Sequence, residues 1–196
     1  MKPQIKISAK GLGELAMPTF CPRCFWLKLH AQKLPFQIFP GIFSSIDSYS
    51  KKVTRAYFEN HGDLLKWFKD FGLEGEPVKV PHYRQFQVQE EKSGVLLSGS
   101  PDEILRLNDG SYAILDYKTS KFSKTQDSLF PMYETQLNAY AYIGLHNGFS
   151  PISQLVLVYY EPVTDMTDQQ IEQLIHEERS KNHHLLANDL EKILYG

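Results

Sequence analysis

The chain has 196 residues, 42% of them hydrophobic and 13% aromatic, which is enough apolar material for one full-sized core and the balance of an ordinary globular domain. Its 21 basic residues stand against 23 acidic ones for a net charge of −2, which excludes a uniform positive coat, so affinity for a polyanion has to come from a local patch. No apolar run is long enough to span a bilayer, and Met1-Lys2-Pro3-Gln4-Ile5-Lys6 lacks the apolar core of a secretory signal, so the expected location is cytoplasmic, with reduced thiols.

A first helix is read from Phe20 to Gln32. Cys21 and Cys24 supply at most half of a zinc ligand set, with His183 and His184 as the only tandem histidines. The two cysteines are therefore read as small apolar residues packed at the helix start. A second helix runs from Phe43 to Asn60, with Ile46, Tyr49, Val53 and Tyr57 as its apolar stripe and serines suited to capping at its entrance. Asp47 lies in its first turn, where the helix dipole favours a negative charge even without a further role. A short amphipathic piece follows from Asp63 to Phe71.

Three strands come next, Arg84 to Glu91, Val95 to Leu107 and Ser111 to Thr119, the last two joined by the hairpin turn Asn108-Asp109-Gly110. The hairpin makes Asp102 and Asp116 neighbours, and Asp116 and Lys118, two apart on one strand, project from the same face. Such a trio can share a divalent cation. The hard ion takes carboxylate oxygens, polarises a phosphate and acidifies a bound water, which the ammonium orients or helps deprotonate. The bland alternative is a Pro-Asp turn, an acid at a strand end and a solvated lysine.

The next helix shows Leu129, Tyr133, Leu137, Tyr140, Ala141 and Gly144 at helical spacing and stops at Gly148. Gln136 and Tyr140 sit one turn apart on one of its faces. The run Gln154 to Tyr160 suits a strand buried on both faces. Residues 167–194 open on a capping box, Thr167-Asp168-Gln169-Gln170, and continue through Ile171, Leu174, Ile175, Leu185, Leu186 and Leu190 as a helical segment closing a single domain of residues 1–196. The fold class expected from this order is α/β, a central mixed β-sheet flanked by helices. Basic clusters lie at Lys118, Lys121 and Lys124, at Lys51, Lys52 and Arg55, and at Arg23 and Lys28. Each alone reads as a solvated face, and their convergence on the acids is what a structure can check.

The ordered set Pro101-Asp102, Asp116-Tyr117-Lys118 and Gln136 to Tyr140 resembles the PD-(D/E)XK nuclease superfamily, specifically its RecB-type branch, in which a Gln-x-x-x-Tyr helix follows the catalytic hairpin. The string Asp116-Tyr117-Lys118-Thr119-Ser120-Lys121 is similar to that branch, as is the opening Cys21-Pro22-Arg23-Cys24-Phe25-Trp26-Leu27, and the resemblance spans residues 19–160. It implies a restriction-endonuclease-like core in which Asp102 and Asp116 bind magnesium or manganese together with the backbone carbonyl of Tyr117. Lys118 would act on the water, and Gln136 and Tyr140 would position the nucleic-acid backbone. The family places an acid or histidine on its first core helix; Asp47 is the candidate, with His30 and His61 read as ordinary histidines.

CRISPR-associated exonucleases of this branch hold an iron-sulfur cluster on four cysteines, and with two cysteines here no cluster of that type is expected. The implied function is a metal-dependent nuclease hydrolysing DNA phosphodiester bonds, an exonuclease or structure-dependent nuclease of repair, recombination or defence. It would act on single-stranded DNA or duplex ends, alone or with a separately encoded helicase or recombination partner. The alternative is a catalytically inactive nucleic-acid-binding or assembly subunit of the same fold, which the presence of Asp102, Asp116 and Lys118 together disfavours.

Overall fold

A computed structural model describes residues 4–30, 41–119, 124–160, 167–170 and 172–173. In chain order its elements are β1 (Lys6–Ser8), α1 (Ala9–Gly13), α2 (Pro22–His30), α3 (Gly41–His61), α4 (Lys66–Asp70), β2 (Gly75–Val78), β3 (Gln87–Gln89), β4 (Leu96–Ser98), β5 (Glu103–Leu107), β6 (Tyr112–Thr119), α5 (Lys124–His146) and β7 (Ile152–Tyr160).

The β5–β6 hairpin forms as expected, antiparallel with Glu103 opposite Leu115 and Arg106 opposite Tyr112. Its turn is made by local chemistry. Gly110 takes φ +84°, a conformation that suits glycine, while Asp109 Oδ1 accepts from the Ser111 amide at 2.8 Å and the Ser111 hydroxyl at 2.6 Å. Beyond the hairpin, β6 pairs in parallel with β7, and α5 provides the crossover that a parallel pair requires. The resulting four-stranded mixed sheet runs β2-β5-β6-β7, and a second, three-stranded sheet runs β1-β4-β3.

The stretch Val95 to Leu107 is not one strand. It breaks between β4 and β5, and the two halves belong to different sheets. Pro101 has no amide hydrogen to give a ladder and steers Ser100 away from helical backbone, while the Gly99 amide is donated to the Phe86 carbonyl at 3.0 Å. Arg84 to Glu91 likewise narrows to β3, because residues 82–86 turn, with the Gln85 and Phe86 amides both donating to the His82 carbonyl at 2.7 and 2.9 Å. Three elements were invisible in the sequence: β1, α1 and β2 span only three to five residues each, too short to display a period. The strand β7 is half-buried along its length rather than buried on both faces, as befits the outermost of four described strands.

Both faces of the hairpin are covered. Ile104 and Ile114 face Leu137, Tyr140 and Ile143 of α5, together with Phe86. Leu105, Ala113, Leu115 and Tyr117 face Leu64, Phe68 and Leu73. Alternation with period two thus sorts one strand pair into two clusters, and each fully buried Leu, Ile or Phe contributes roughly 1.5–3 kcal/mol. Cys21 and Cys24 do not join this core. Both are exposed, with the Cys24 amide donating to Cys21 Sγ at 3.4 Å, because none of α2 is buried.

The chain divides into two compact units, Met1–Glu161 and Pro162–Gly196. In the second, the expected capping box is formed: the Gln170 amide donates to Thr167 Oγ1 at 3.4 Å and the Thr167 amide donates to Gln170 Oε1 at 2.9 Å. The rest of the 167–194 segment, apart from residues 172–173, lies outside the described residues, as do His183 and His184. Among the described residues no helix is long and apolar enough to cross a membrane.

Gly99 is where the two sheets meet α5. A Cβ placed there would come within 2.6 Å of Cδ1 and Cε1 of the buried Tyr140 ring. Gly99→Ala is expected to destabilise the fold by about 1–3 kcal/mol, the usual range for overpacking, as read by urea denaturation. Stability equal to wild type would show that the Tyr140 ring gives way freely.

Candidate functional site

Asp102 stands in the break just before β5, with its amide donated to the Leu115 carbonyl at 3.1 Å, so the carboxylate is placed at the mouth of the hairpin. Its Oδ2 accepts from the Tyr117 amide at 2.6 Å and its Oδ1 meets Lys51 Nζ of α3 at 2.6 Å. A strand residue directs its N–H and C=O to the same side, so the Tyr117 carbonyl leaves β6 toward Asp102 as well. The Tyr117 ring packs away from the site, in the cluster of Leu64 and Phe68.

Asp116, the second acid, is in the middle of the fold and only 4% exposed. Gln136 Nε2 donates to its Oδ1 at 3.2 Å, and its Oδ2 faces the Lys118 ammonium with no other donor among the described residues. Burial pushes the Asp116 carboxyl above the ordinary carboxylate range; the Lys118 charge pulls it back, and the negative charge of Asp102 adds to the upward push. Lys118 itself donates to Gln136 Oε1 at 3.4 Å and lies 4.6 Å from the centre of the Tyr133 ring. Aspartate and lysine thus share the strand face that their spacing requires.

Gln136 and Tyr140 stand behind the acids. Both are buried, and Gln136 Nε2 donates to the Tyr140 hydroxyl at 2.8 Å as well as to Asp116. Only one amide orientation can turn oxygen to an ammonium and NH2 to a carboxylate at once. Gln136 therefore ties Asp116, Lys118 and Tyr140 into one arrangement. Burial also drives the Tyr140 hydroxyl far above its ordinary pKa, so it stays neutral.

Lys51 and Arg55, one turn apart on α3, meet adjacent acids: Arg55 Nη2 lies 3.1 Å from Glu103 Oε1. Glu103 is 1% exposed, and its carboxyl is raised by burial against the lowering effect of Arg55. Neither contact was visible in the sequence, where Lys51 read as part of a solvated cluster. Position 47 lies one turn before Lys51 on the same face of α3, while the side chain of Asp47 lies outside the described set. Of the other basic residues, Lys28 pairs with Glu14, whereas Lys121 and the Lys124 side chain lie outside the described residues. His30 and His61 each contact the backbone carbonyl and ring of the residue one turn earlier on their own helix, Trp26 and Tyr57.

The donor set suits a hard divalent cation. It offers carboxylate oxygens from Asp102 and Asp116 and a carbonyl from Tyr117, and the buried Asp116 Oδ2, with an ammonium as its sole partner among the described residues, is an atom that a cation can satisfy. Among the described residues no three His, Cys, Asp or Glu side chains converge, so Asp102 and Asp116 are the side-chain ligands that the described residues bring together.

A family model described as the PD-(D/E)XK nuclease superfamily matches residues 26–196. No curated protein matches the chain. A solved structure described as "Crystal structure of SSO0001" aligns over 93% of this chain and 79% of that chain at 14% identity with a TM-score of 0.43, a likeness too weak to add to the fold described above.

An unfolded aspartate titrates near 3.9, and the folded Asp116 titrates higher. Its contribution to stability is therefore full below about pH 3.9 and is lost as pH rises through the folded value, where the charged form is buried. Asp116→Asn, which keeps the shape without the charge, is expected to melt above wild type at pH 7 in chelator. The gap should close as pH falls toward 4; a gap constant over that range would assign the effect to packing instead.

Proposed function

Because the chain belongs to the PD-(D/E)XK nuclease superfamily, we propose that it is a metal-dependent nuclease hydrolysing DNA phosphodiester bonds, an exonuclease or structure-dependent nuclease of the RecB-type branch. The observation that carries this reading is the convergence of Asp102, just before β5, and Asp116 of β6 beside a lysine held between Asp116 and Gln136. The ordering of Gln136 and Tyr140 behind the hairpin supports the branch.

In this reading Asp102, Asp116 and the Tyr117 carbonyl hold magnesium or manganese, and Asp47 completes the site from α3. The ion, when bound, supplies Lewis acidity toward the phosphate and acidifies a water. The rest is done by the chain. Lys118, fixed by Gln136 and by the Tyr133 ring, donates a hydrogen bond to the attacking water and orients it for in-line approach. Gln136 acts as a positioning residue, keeping Lys118 and Asp116 in mutual register, and Tyr140 secures Gln136. The exposed thiols of Cys21 and Cys24 suit a reducing, cytoplasmic compartment. DNA is read as the substrate and a separately encoded helicase or recombination enzyme as the partner, with residues 1–196 acting as one nuclease-like domain.

Wild-type protein is expected to cut end-labelled DNA with magnesium or manganese and not with chelator. Asp102→Ala should abolish cutting, and Lys118→Ala should slow it by about 10²- to 10³-fold, as for the loss of a preorganised hydrogen-bond donor. Gln136→Ala should slow it less, by about 10- to 100-fold, as for the loss of a supporting hydrogen bond. Tight binding with no cutting under either metal would favour the inactive, assembly-subunit reading.

A further inference from the structure

Beside Asp102 opens a cleft of 340 Å³ that the chemistry above leaves unused. Lys51, Lys52 and Arg55 of α3 line one wall, His82 and Tyr83 line the other, and Asp102 lies at its edge. Lys51 and Arg55 are paired with Asp102 and Glu103, but Lys52 has no carboxylate partner among the described residues. Tyr83 is 42% exposed although it sits on a loop that is firmly held. The Gln85 and Phe86 amides cap the His82 carbonyl, and Phe86 is buried completely.

Two further cations gather on that ring. Lys6 Nζ is 5.2 Å and Arg84 Cζ 5.7 Å from its centre, and Arg84 Nε donates to the Tyr83 hydroxyl at 3.2 Å. Neither Lys6 nor Arg84 has a carboxylate partner among the described residues. In a chain of net charge −2, Lys6 and Arg84 on the Tyr83 ring and Lys52 on the wall of the same cleft, without acidic partners among the described residues, form a local excess of positive charge. An aromatic face combined with unneutralised cations is the pairing that binds a strand with unstacked bases, through stacking and phosphate contacts together.

We propose that this cleft binds single-stranded nucleic acid, with a base stacked at Tyr83 and the adjoining phosphates on Lys6, Lys52 and Arg84, and that it leads the strand to Asp102. The volume lies at the low end of the ~300–1,000 Å³ of small-ligand pockets, the scale of a nucleotide. A duplex keeps its base faces inside its own stack, where Tyr83 cannot reach them. The destination of the strand rests on the nuclease reading; the binding does not.

The test is fluorescence anisotropy in chelator, where no cutting occurs, with a labelled mixed-sequence DNA strand, its duplex and the RNA strand of the same sequence. One single strand, DNA or RNA, should bind more tightly than the duplex. Tyr83→Ala should weaken that binding about 5- to 100-fold, while Tyr83→Trp retains it and both variants melt with wild type. Lys52→Ala should weaken it and flatten its salt dependence. Single-strand affinity unchanged in Tyr83→Ala, or duplex bound as tightly as either strand, overturns the proposal. The two readings fail separately. Tyr83-dependent binding by a protein that never cuts sinks the nuclease and keeps the cleft; cutting by a protein whose binding ignores Tyr83 does the reverse.

Discussion

A carboxylate held inside the protein is the constraint on which the rest of this structure depends. Asp116 is nearly inaccessible, and removing a charge from water costs several kcal/mol unless partners replace the solvent. Its partners here are Lys118 and Gln136, and Gln136 can serve only if α5 lies against β6 in one register. That register is enforced from further away: the Tyr140 ring rests against Gly99, where no side chain stands in its way, and the Tyr140 hydroxyl takes the second hydrogen of the Gln136 amide. The junction between the two sheets is in this way mechanically continuous with the site.

Asp102 meets a different surrounding. One oxygen is engaged by a backbone amide and the other by a lysine on α3. A ligand to Asp102 therefore exchanges with Lys51, a flexible side chain, more readily than with the amide, which the sheet fixes. The pairing of Arg55 with Glu103 one turn along keeps α3 against the same edge. The two acids are thus held from opposite sides, Asp102 by α3 and Asp116 by α5, and the cleft with Tyr83 opens on the Asp102 side.

Features resting on near neighbours in the chain were legible before any coordinates. The Asn108-Asp109-Gly110 turn makes its bonds within three residues, so the hairpin and the shared face of Asp116 and Lys118 followed from local rules. The same holds for the capping box at Thr167 and for the end of the long helix near Gly148, whose φ is +87°. Val95 to Leu107 misled for the converse reason. Apolar residues flank Ser98 to Glu103 on both sides, and although Pro101 marks the break locally, it takes the Phe86 carbonyl and the Tyr140 ring, both distant in sequence, to fix Gly99 as the point where the chain leaves one sheet for another. Buried thiols were expected from the usual habit of cysteine, yet α2 offers them no core to enter.

By itself the sequence determined the chemistry on offer, two acids, a lysine, a glutamine and a tyrosine in order, together with the hairpin and helix that carry them, because period and turn geometry act over a few residues. Tertiary structure alone decided that Asp116 is buried, that Lys51 and Arg55 reach Asp102 and Glu103, and that Tyr83 shares a cleft with α3. Burial and ion pairing join residues tens of positions apart, and their energies are set by what surrounds a group rather than by what precedes it.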